Sequence, residues 1–283
     1  MSIESCAHVL SCPVCRDAME IDERSVRCGR GHAYDVAREG YVNLLVGKPR
    51  GDAGEMLTAR RRFLEKGGYE PLSDLVNEEV GKYRAEAGRA PALLDCGCGE
   101  GYYLRRLAAL EAAGTKPLLG LDISREAVRI AARYSNGRAA FVVADTTRRL
   151  PFLDGAFDVL LDVFAPRNPA EFARVLVPGG LLVVVTPEPD HLAELRSSLG
   201  LLKIEDQKAE RVEAAFTDGF TPAGSNILRY LMHLDDDDLA DIETMTPGHG
   251  RRSPLPRRAD APPSGDGGFP ADQFRRTAEP AGG

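Results

Sequence analysis

Four residues near the start of the chain have the types and spacing of a tetrahedral metal site. Cys12 and Cys15 are separated by two residues, Cys28 follows after twelve more, and His32 after a further three. Thiolates two residues apart can face one ion from a single turn, and the distant pair closes the loop around it, which is a Cys₃His zinc set. Four protein ligands leave no coordination position for water, so the expected metal is structural rather than catalytic. Cys6 and His8 have no matching spacing to Cys12 and are read as bystanders.

A second constellation begins at Leu93-Leu94-Asp95-Cys96-Gly97-Cys98-Gly99-Glu100-Gly101, where an apolar strand runs into a helical pattern. Gly97, Gly99 and Gly101 would let the backbone turn tightly and approach a nucleotide-like ligand without a Cβ. Asp122 ends the next strand, LLGLD, 21 residues after Gly101, where a carboxylate can accept from ribose hydroxyls. Asp145 ends the third, FVVAD, and is placed for an adenine amino group. A nicotinamide dinucleotide would need a third glycine where Tyr102 stands, and Glu100 would oppose its phosphates. Beside the sulfonium and ammonium of S-adenosyl-L-methionine the same carboxylate is favourable. The methyl donor is therefore the expected cofactor, and Cys96 and Cys98 are read as packing residues.

The elements that must hold these groups alternate. Strand-like segments at 92–96, 117–122, 139–144, 157–163 and 180–186 are separated by mostly helical patterns, which predicts an α/β fold with a doubly wound, mostly parallel sheet and its ligand beyond the carboxyl ends of the strands. Residues 1–45 read as a small zinc-binding module. Residues 46–90 read as a basic linker and then a helix bearing Leu72, Leu75, Val76, Val80 and Tyr83, and 91–246 as the donor-binding domain. Within the last, 201–246 is expected to be a less regular cap with one strand pair and a helix opened by DDDDLADIE. From 247 to 283 Pro, Gly, Arg, Ala and Asp dominate without apolar periodicity, and a disordered tail is expected.

The net charge of -7 excludes a protein that wraps nucleic acid with its whole surface, yet six basic residues from Lys48 to Lys66, Arg60, Arg61 and Arg62 among them, face only three acidic ones. No apolar run is long enough to span a membrane. The start MSIESCAHVL has neither the basic nor the apolar region of a secretory signal, so a cytoplasmic location and reduced thiols are expected.

With CPVC, GHAYDVAREGYVNLL, GEMLTARRRFLEKGGYEPL, LDCGCGEGYY, LGLDIS, RLPF, FAP, ARVLVPGG, TPEPDHLAEL and MTP in place over about residues 9–247, the chain resembles the bacterial 23S ribosomal RNA (guanine-N1)-methyltransferases, which include members conferring resistance to tylosin-type macrolides. The resemblance implies a class I methyltransferase acting on N1 of a guanine in a hairpin loop of large-subunit ribosomal RNA. It places zinc on Cys12, Cys15, Cys28 and His32, donor contacts on Tyr69, Gly99, Glu100 and His191, and admits a homodimer forming an RNA cleft. From the residues alone, Tyr69 reads as a helix-start packing residue and His191 as a surface histidine. After MTP the family continues with an aromatic- and Trp-containing stretch and a last strand, whereas this chain has no Trp and reads GHGRRSPLPRRADAPPSG, so that either the final strand is absent, leaving an open sheet edge, or the end is frame-altered or divergent.

Methyl transfer from a sulfonium is an in-line displacement, governed mainly by near-attack geometry. Guanine N1 carries a proton and lies on the pairing edge, so the base must be unpaired or flipped. In similar methyltransferases the segment matching Asp162-Val-Phe-Ala-Pro166 borders that space: Phe164 is a candidate to stack on the base and Asp162 to assist deprotonation, or the segment is a structural turn. The zinc module and the segment around Arg60–Arg62 are expected to hold RNA phosphates. Two rival readings are a zinc-ribbon RNA-binding factor with a vestigial donor site, opposed by Asp95, the glycine loop, Asp122 and Asp145, and a small-molecule methyltransferase, opposed by the zinc module.

Overall fold

The computed structural model describes residues 2–47, 54–110, 116–192, 208–246 and 264–277. Its centre is an eight-stranded sheet in the order β10-β11-β9-β8-β5-β6-β7-β4. The inner strands are β5 (Leu93–Cys96), β6 (Leu118–Asp122), β7 (Ala140–Val143), β8 (Phe157–Val163) and β9 (Leu176–Val185), all mutually parallel where they pair. Their residues are apolar at nearly every position because both faces are covered. The two-residue period then divides them between two cores. Leu93, Leu161, Val163, Val183 and Val185 point to one face, and Leu94, Leu160, Leu182 and Val184 to the other.

Helices α3 (Glu70–Ala87), α4 (Tyr102–Leu110) and α5 (Arg125–Tyr134) supply the first core with Leu72, Val76, Leu104, Leu107, Val128 and Ala131. α3 stops at Gly88, which adopts φ +66° and returns its amide to the Arg84 carbonyl. The second face is covered by α6 (Pro169–Val175) and α7 (Lys208–Ala215), and also by the N-terminus of the chain. The link from β7 to β8 contains no helix, and the N-terminal segment lies there instead. Leu153 donates to the Val9 carbonyl, Ser11 donates to that of Pro151, and Leu10 and Phe152 are both fully buried.

The N-terminal module comprises α1 (Ile3–Cys6), a turn of 3₁₀ helix, and a three-stranded antiparallel sheet of β1 (Met19–Asp22), β2 (Ser25–Cys28) and β3 (Ala33–Asp35). It does not end as an independent unit at residue 45, because β4 (Tyr41–Asn43) is the edge strand of the large sheet, parallel to β7. The expected linker contains a helix, α2 (Gly54–Glu65), before α3. α2 packs on α8 (Asp236–Met245), whose start is closed by a reciprocal Asp235–Asp238 capping box.

The C-terminus corrects the sequence expectation. Residues 264–276 are not a disordered tail but strand β11 (Ser264–Arg276), inserted antiparallel between β9 and β10 (Phe220–His233). In place of the strand pair expected within 201–246, the described residues there hold one long strand, β10, whose partner β11 begins 31 residues after its end. GFPADQF carries too few apolar residues to show a clear period, but Phe269 and Ala271 enter the first core and Phe274 the second. Pro270 is tolerated because pairing with β9 begins one residue later, at Ala271↔Val185. The remainder of the expected tail, 247–263 and 278–283, lies outside the described residues.

Candidate metal centre and active site

The four predicted ligands converge. Single ligand atoms of Cys12, Cys15, Cys28 and His32 lie within 4.8 Å of one another, the one such metal-capable group among the described residues. Cys15 Sγ is 3.4 Å from Cys28 Sγ, and His32 Nδ1 is 3.4 Å from Cys28 Sγ and 3.6 Å from Cys12 Sγ. Zinc–sulfur bonds of about 2.3 Å at tetrahedral angles require ligand atoms roughly 3.5–3.8 Å apart, so the donor set fits zinc. Each pair sits on a backbone turn: Arg16 donates to the Cys12 carbonyl with φ +69°, and Gly31 donates to the Cys28 carbonyl with φ +87°. Cys6 is buried away from this cluster, and its thiol is pushed up by desolvation.

The glycine loop follows β5 at the carboxyl edge of the sheet, and its three glycines do different work. A Cβ on Gly97 would meet that of Ala165 at 2.3 Å, and one on Gly101 that of Ala131 at 2.9 Å, so both are required by packing. Gly99, at φ +54°, is not crowded in this way: the nearest group to its Cβ position is Arg60 Nη1, at an ordinary contact distance of 3.8 Å. Asp122 holds this loop in place. Its Oδ2 accepts from the Gly99 amide at 2.9 Å and its Oδ1 from Ser124 at 2.8 Å, two of about four acceptor positions on a carboxylate. Asp145 stands just beyond β7 and accepts from the Thr147 amide and hydroxyl at 2.9 and 2.6 Å. The Ala144 amide ties this strand end to the Asp122 carbonyl, so Asp122 and Asp145 are neighbours, as the sequence predicts.

Around the loop, carboxylates are buried without matching bonds. Both Glu100 oxygens, Asp95 Oδ2 and both Asp162 oxygens meet no hydrogen-bond partner of normal geometry. Burial pushes Asp95 up to about 8, helped by the charges of Asp122 and Asp162. Burial also pushes Asp162 to about 7 against the pull of Arg167, and raises Glu100 although Arg105 stands 3.6 Å away. Desolvation thus raises the pKa of three carboxyl groups at one sheet edge, where a nearby positive charge would favour their ionised forms.

Beside this edge stands an aromatic enclosure. Tyr69, at the N-cap of α3, has its ring 5.1 Å from Phe269, 5.8 Å from Phe164 and 6.1 Å from His191. The Tyr69 hydroxyl lies 3.3 Å from His191 Nε2, and His191 packs on Phe269 at 4.5 Å. His191 is 6% exposed, so it is not the surface histidine that its local sequence suggests. Phe164 is 41% exposed and held at φ +58°, a conformation costly for a bulky residue and typical of functional sites. Phe269 was missed from the sequence because it belongs to the segment expected to be disordered. The segment offered no clear apolar period by which to find it.

The three arginines of α2 do not form one basic patch. Arg61 lies over the Tyr134 ring at 3.3 Å, Arg62 forks the buried Asp241 carboxylate, and Arg60 turns toward Gly99. Lys66 is bound by Asp235 and Asp238 at 3.1 and 3.0 Å. Consecutive helical residues point about 100° apart, so Arg60, Arg61 and Arg62 face different surroundings, and the acidic start of α8 pairs with Arg62 and Lys66.

Residues 10–48 match the zinc-ribbon family model described as RlmA, N-terminal, and residues 93–180 match a methyltransferase domain model. The chain is 42% identical over 247 residues to the 23S rRNA (guanine(748)-N(1))-methyltransferase of Streptomyces fradiae, covering 87% of each chain. It is 39% identical to a "Putative 23S rRNA (guanine-N(1)-)-methyltransferase" of Micromonospora griseorubida, over 87% of this chain and 88% of that one. A solved structure titled as a putative methyltransferase from Bacillus halodurans shares the fold at TM-score 0.50 and 17% identity, covering 71% of this chain and all of that one. The first two relatives each match over 87% of this chain, far above the identity at which chains share a fold alone, and the chain belongs to the 23S rRNA (guanine-N1)-methyltransferases.

Proposed function

We propose that this enzyme transfers the methyl group of S-adenosylmethionine to N1 of a guanine in a hairpin loop of 23S rRNA, with the donor held by Gly97, Gly99, Glu100, Gly101, Asp122, Asp145, Tyr69 and His191. The observation that carries the assignment is the left-handed Gly99 held by Asp122 beside the Glu100 carboxylate, buried without a hydrogen-bond partner, next to an enclosure of Tyr69, His191, Phe164 and Phe269. When bound, the donor supplies an electrophilic methyl group. The chain supplies position: Asp122 fixes the glycine loop, Glu100 receives positive charge, and Tyr69 and His191 close the cradle. Phe164, half-exposed and strained, offers its ring to a flipped guanine. The N1 proton must leave before or as the methyl arrives. The zinc ribbon, docked through Leu10 and Phe152, carries the RNA-binding surface in this reading.

The relative from Streptomyces fradiae makes the nucleotide it is named for the first target to test, with macrolide resistance as the accompanying phenotype. A homodimer belongs to the same proposal, supported by the edge strand β10 with exposed Ile227 and Leu231. So does a cytoplasmic location, consistent with a ribosomal substrate and with no described helix long and apolar enough to cross a membrane. Reverse transcription of 23S rRNA treated with zinc-loaded protein and donor should stop at one guanine, and nucleoside mass spectrometry should return 1-methylguanosine. Methylation at another ring position, or none, would overturn the proposal.

A further inference from the structure

We infer that an arginine stripe along α5, made of Arg125, Arg129 and Arg133 and joined by Arg61 of α2, holds the phosphates of the substrate RNA between the zinc module and the donor edge. The inference rests on the RNA methyltransferase reading above and places the RNA track on a helix outside the basic segment that the sequence singles out. The three arginines recur at every fourth residue. At 1.5 Å per residue they follow one another about 6 Å apart along one side of the helix, close to the spacing of successive phosphates in a nucleic-acid strand. Val128, Ala131 and Ala132 turn to the first core instead, while Arg125 and Arg133 are exposed and Arg129 half-buried.

The surroundings of the stripe join the two functional regions. α5 starts three residues after Asp122, so Arg125 stands at the donor edge. β6, which α5 follows, is two strands from β8, whose end leads to Phe164, a separation of about 10 Å at ordinary strand spacing. On its other side, Arg125 Nε donates to the Tyr41 hydroxyl at 3.1 Å, and Tyr41 belongs to β4, the strand by which the zinc module enters the large sheet. At the far end of the helix Tyr134 is 37% exposed, with the guanidinium of Arg61 3.3 Å and that of Arg133 5.9 Å from its ring centroid. Aromatic rings and guanidinium planes are also surfaces on which unpaired RNA bases stack.

The bonds these arginines already make leave room for phosphate. Arg125 gives Tyr41 one of its five donors. Arg129 pairs with Glu126 at 2.6 Å, but the two side chains are 41% and 45% exposed, and a surface pair of this kind is worth about 1 kcal/mol or less. Among the described residues, Glu126, Glu39 and Glu65 are the carboxylates that act on the stripe. Glu39 is shared with Arg38 at 3.7 Å and Glu65 with Arg105 at 2.6 Å, so six guanidinium groups meet three carboxylates on a chain whose net charge is -7. A local excess of arginine on an acidic protein is what phosphate contacts require.

The test measures RNA affinity against salt for full-length, zinc-loaded protein. The probe is a hairpin transcript of 23S rRNA containing the guanine at which reverse transcription stops. Replacing Arg125, Arg129 and Arg133 together by Ala should weaken binding about tenfold to hundredfold at low salt and reduce the salt slope by about two to three. Affinity for S-adenosylmethionine should stay within about twofold, and the triple lysine variant should recover most of the slope. Lys82→Ala, on α3 over β9 and β10 at the other end of the sheet, should change neither quantity. Should the triple alanine protein lose zinc or thermal stability, the pair Arg129→Ala and Arg133→Ala keeps the Tyr41 bond and should still reduce the slope by about one to two. An unchanged slope in a protein whose wild type methylates the transcript, or an equal loss in the lysine variant, would overturn the inference. A wild-type protein that neither binds nor methylates the transcript would overturn the RNA methyltransferase reading itself, and this inference with it.

Discussion

The metal centre and the donor edge both crowd like groups together, but they resolve the crowding differently. In the ribbon, three thiols and an imidazole meet at 3.4–3.6 Å on two backbone turns, a geometry that a dication completes. At the sheet edge, Asp95, Asp162 and Glu100 are buried without such an answer, and their pKa values rise. The ribbon's ligand set suits one permanent cation, whereas the edge holds carboxylates whose ionisation a bound cation would favour. A structural site saturates its ligands, and a working site leaves some of its groups short of partners.

The largest effect should come from removing a thiol. Cys28→Ser is expected to eliminate bound zinc, measured by elemental analysis, and to lower the thermal midpoint of the whole chain, since structural zinc contributes on the order of 10 kcal/mol to small metal-dependent folds. Persistence of the full midpoint without metal would break the comparison by showing the ribbon folded without its cation. Next, Phe269→Ala should cost about 3–5 kcal/mol in urea denaturation, because a fully buried ring that touches Tyr69, Phe164 and His191 is lost from a central strand. A cost below about 1 kcal/mol would place β11 outside the cooperative fold.

The buried carboxyl groups have a pH signature. Asp95 and Asp162 have folded pKa values of about 8 and about 7, above the ordinary 3.8. The native state therefore holds these protons more tightly than the unfolded chain, and the stability they contribute, complete below about pH 4, is lost as pH rises through 7 to 8. Each separation of one in pKa is worth about 1.4 kcal/mol. Asp162→Asn should flatten the decline in midpoint between pH 5 and 8, and an unchanged slope would mean that Asp162 ionises normally. Because a bound cation favours the ionised carboxylates, donor binding to the wild type should release protons near pH 7, visible as buffer-dependent heats in calorimetry. The smallest effect belongs to Arg62→Ala: a slight fall in midpoint from the lost Asp241 pair, with RNA affinity and its salt dependence unchanged, where a phosphate contact would reduce the salt slope by about one.

What could be read along the chain was what neighbouring residues decide among themselves. Two cysteines and their spacing to Cys28 and His32 specify a metal site because a turn brings near residues together whatever surrounds them. Gly97, Gly99 and Gly101 announce a tight loop at a strand end, and Asp122 and Asp145 announce the next two strand ends, because parallel crossovers return each carboxyl end to the same edge. Family motifs added Tyr69 and His191, which local pattern alone left as a packing residue and a surface residue.

Other features were decided by contacts between distant parts of the chain. GFPADQF is too polar to declare itself a strand, yet pairing with β9 and β10 on both sides holds it and carries Phe269 to the mouth of the site. β4 joins the large sheet although the sequence assigns it to the ribbon. Arg60, Arg61 and Arg62 read as one positive patch, but helical rotation and the acidic start of α8 divide them among Gly99, Tyr134 and Asp241. The sequence by itself determined the zinc ligands, the alternating α/β order and the donor loop, since spacing and period are local. Only the tertiary structure decided which strand fills the C-terminal gap and how the three arginines of α2 are divided, because strand pairing and side-chain direction depend on partners far outside the local window, up to the 179 residues that separate Arg62 from Asp241.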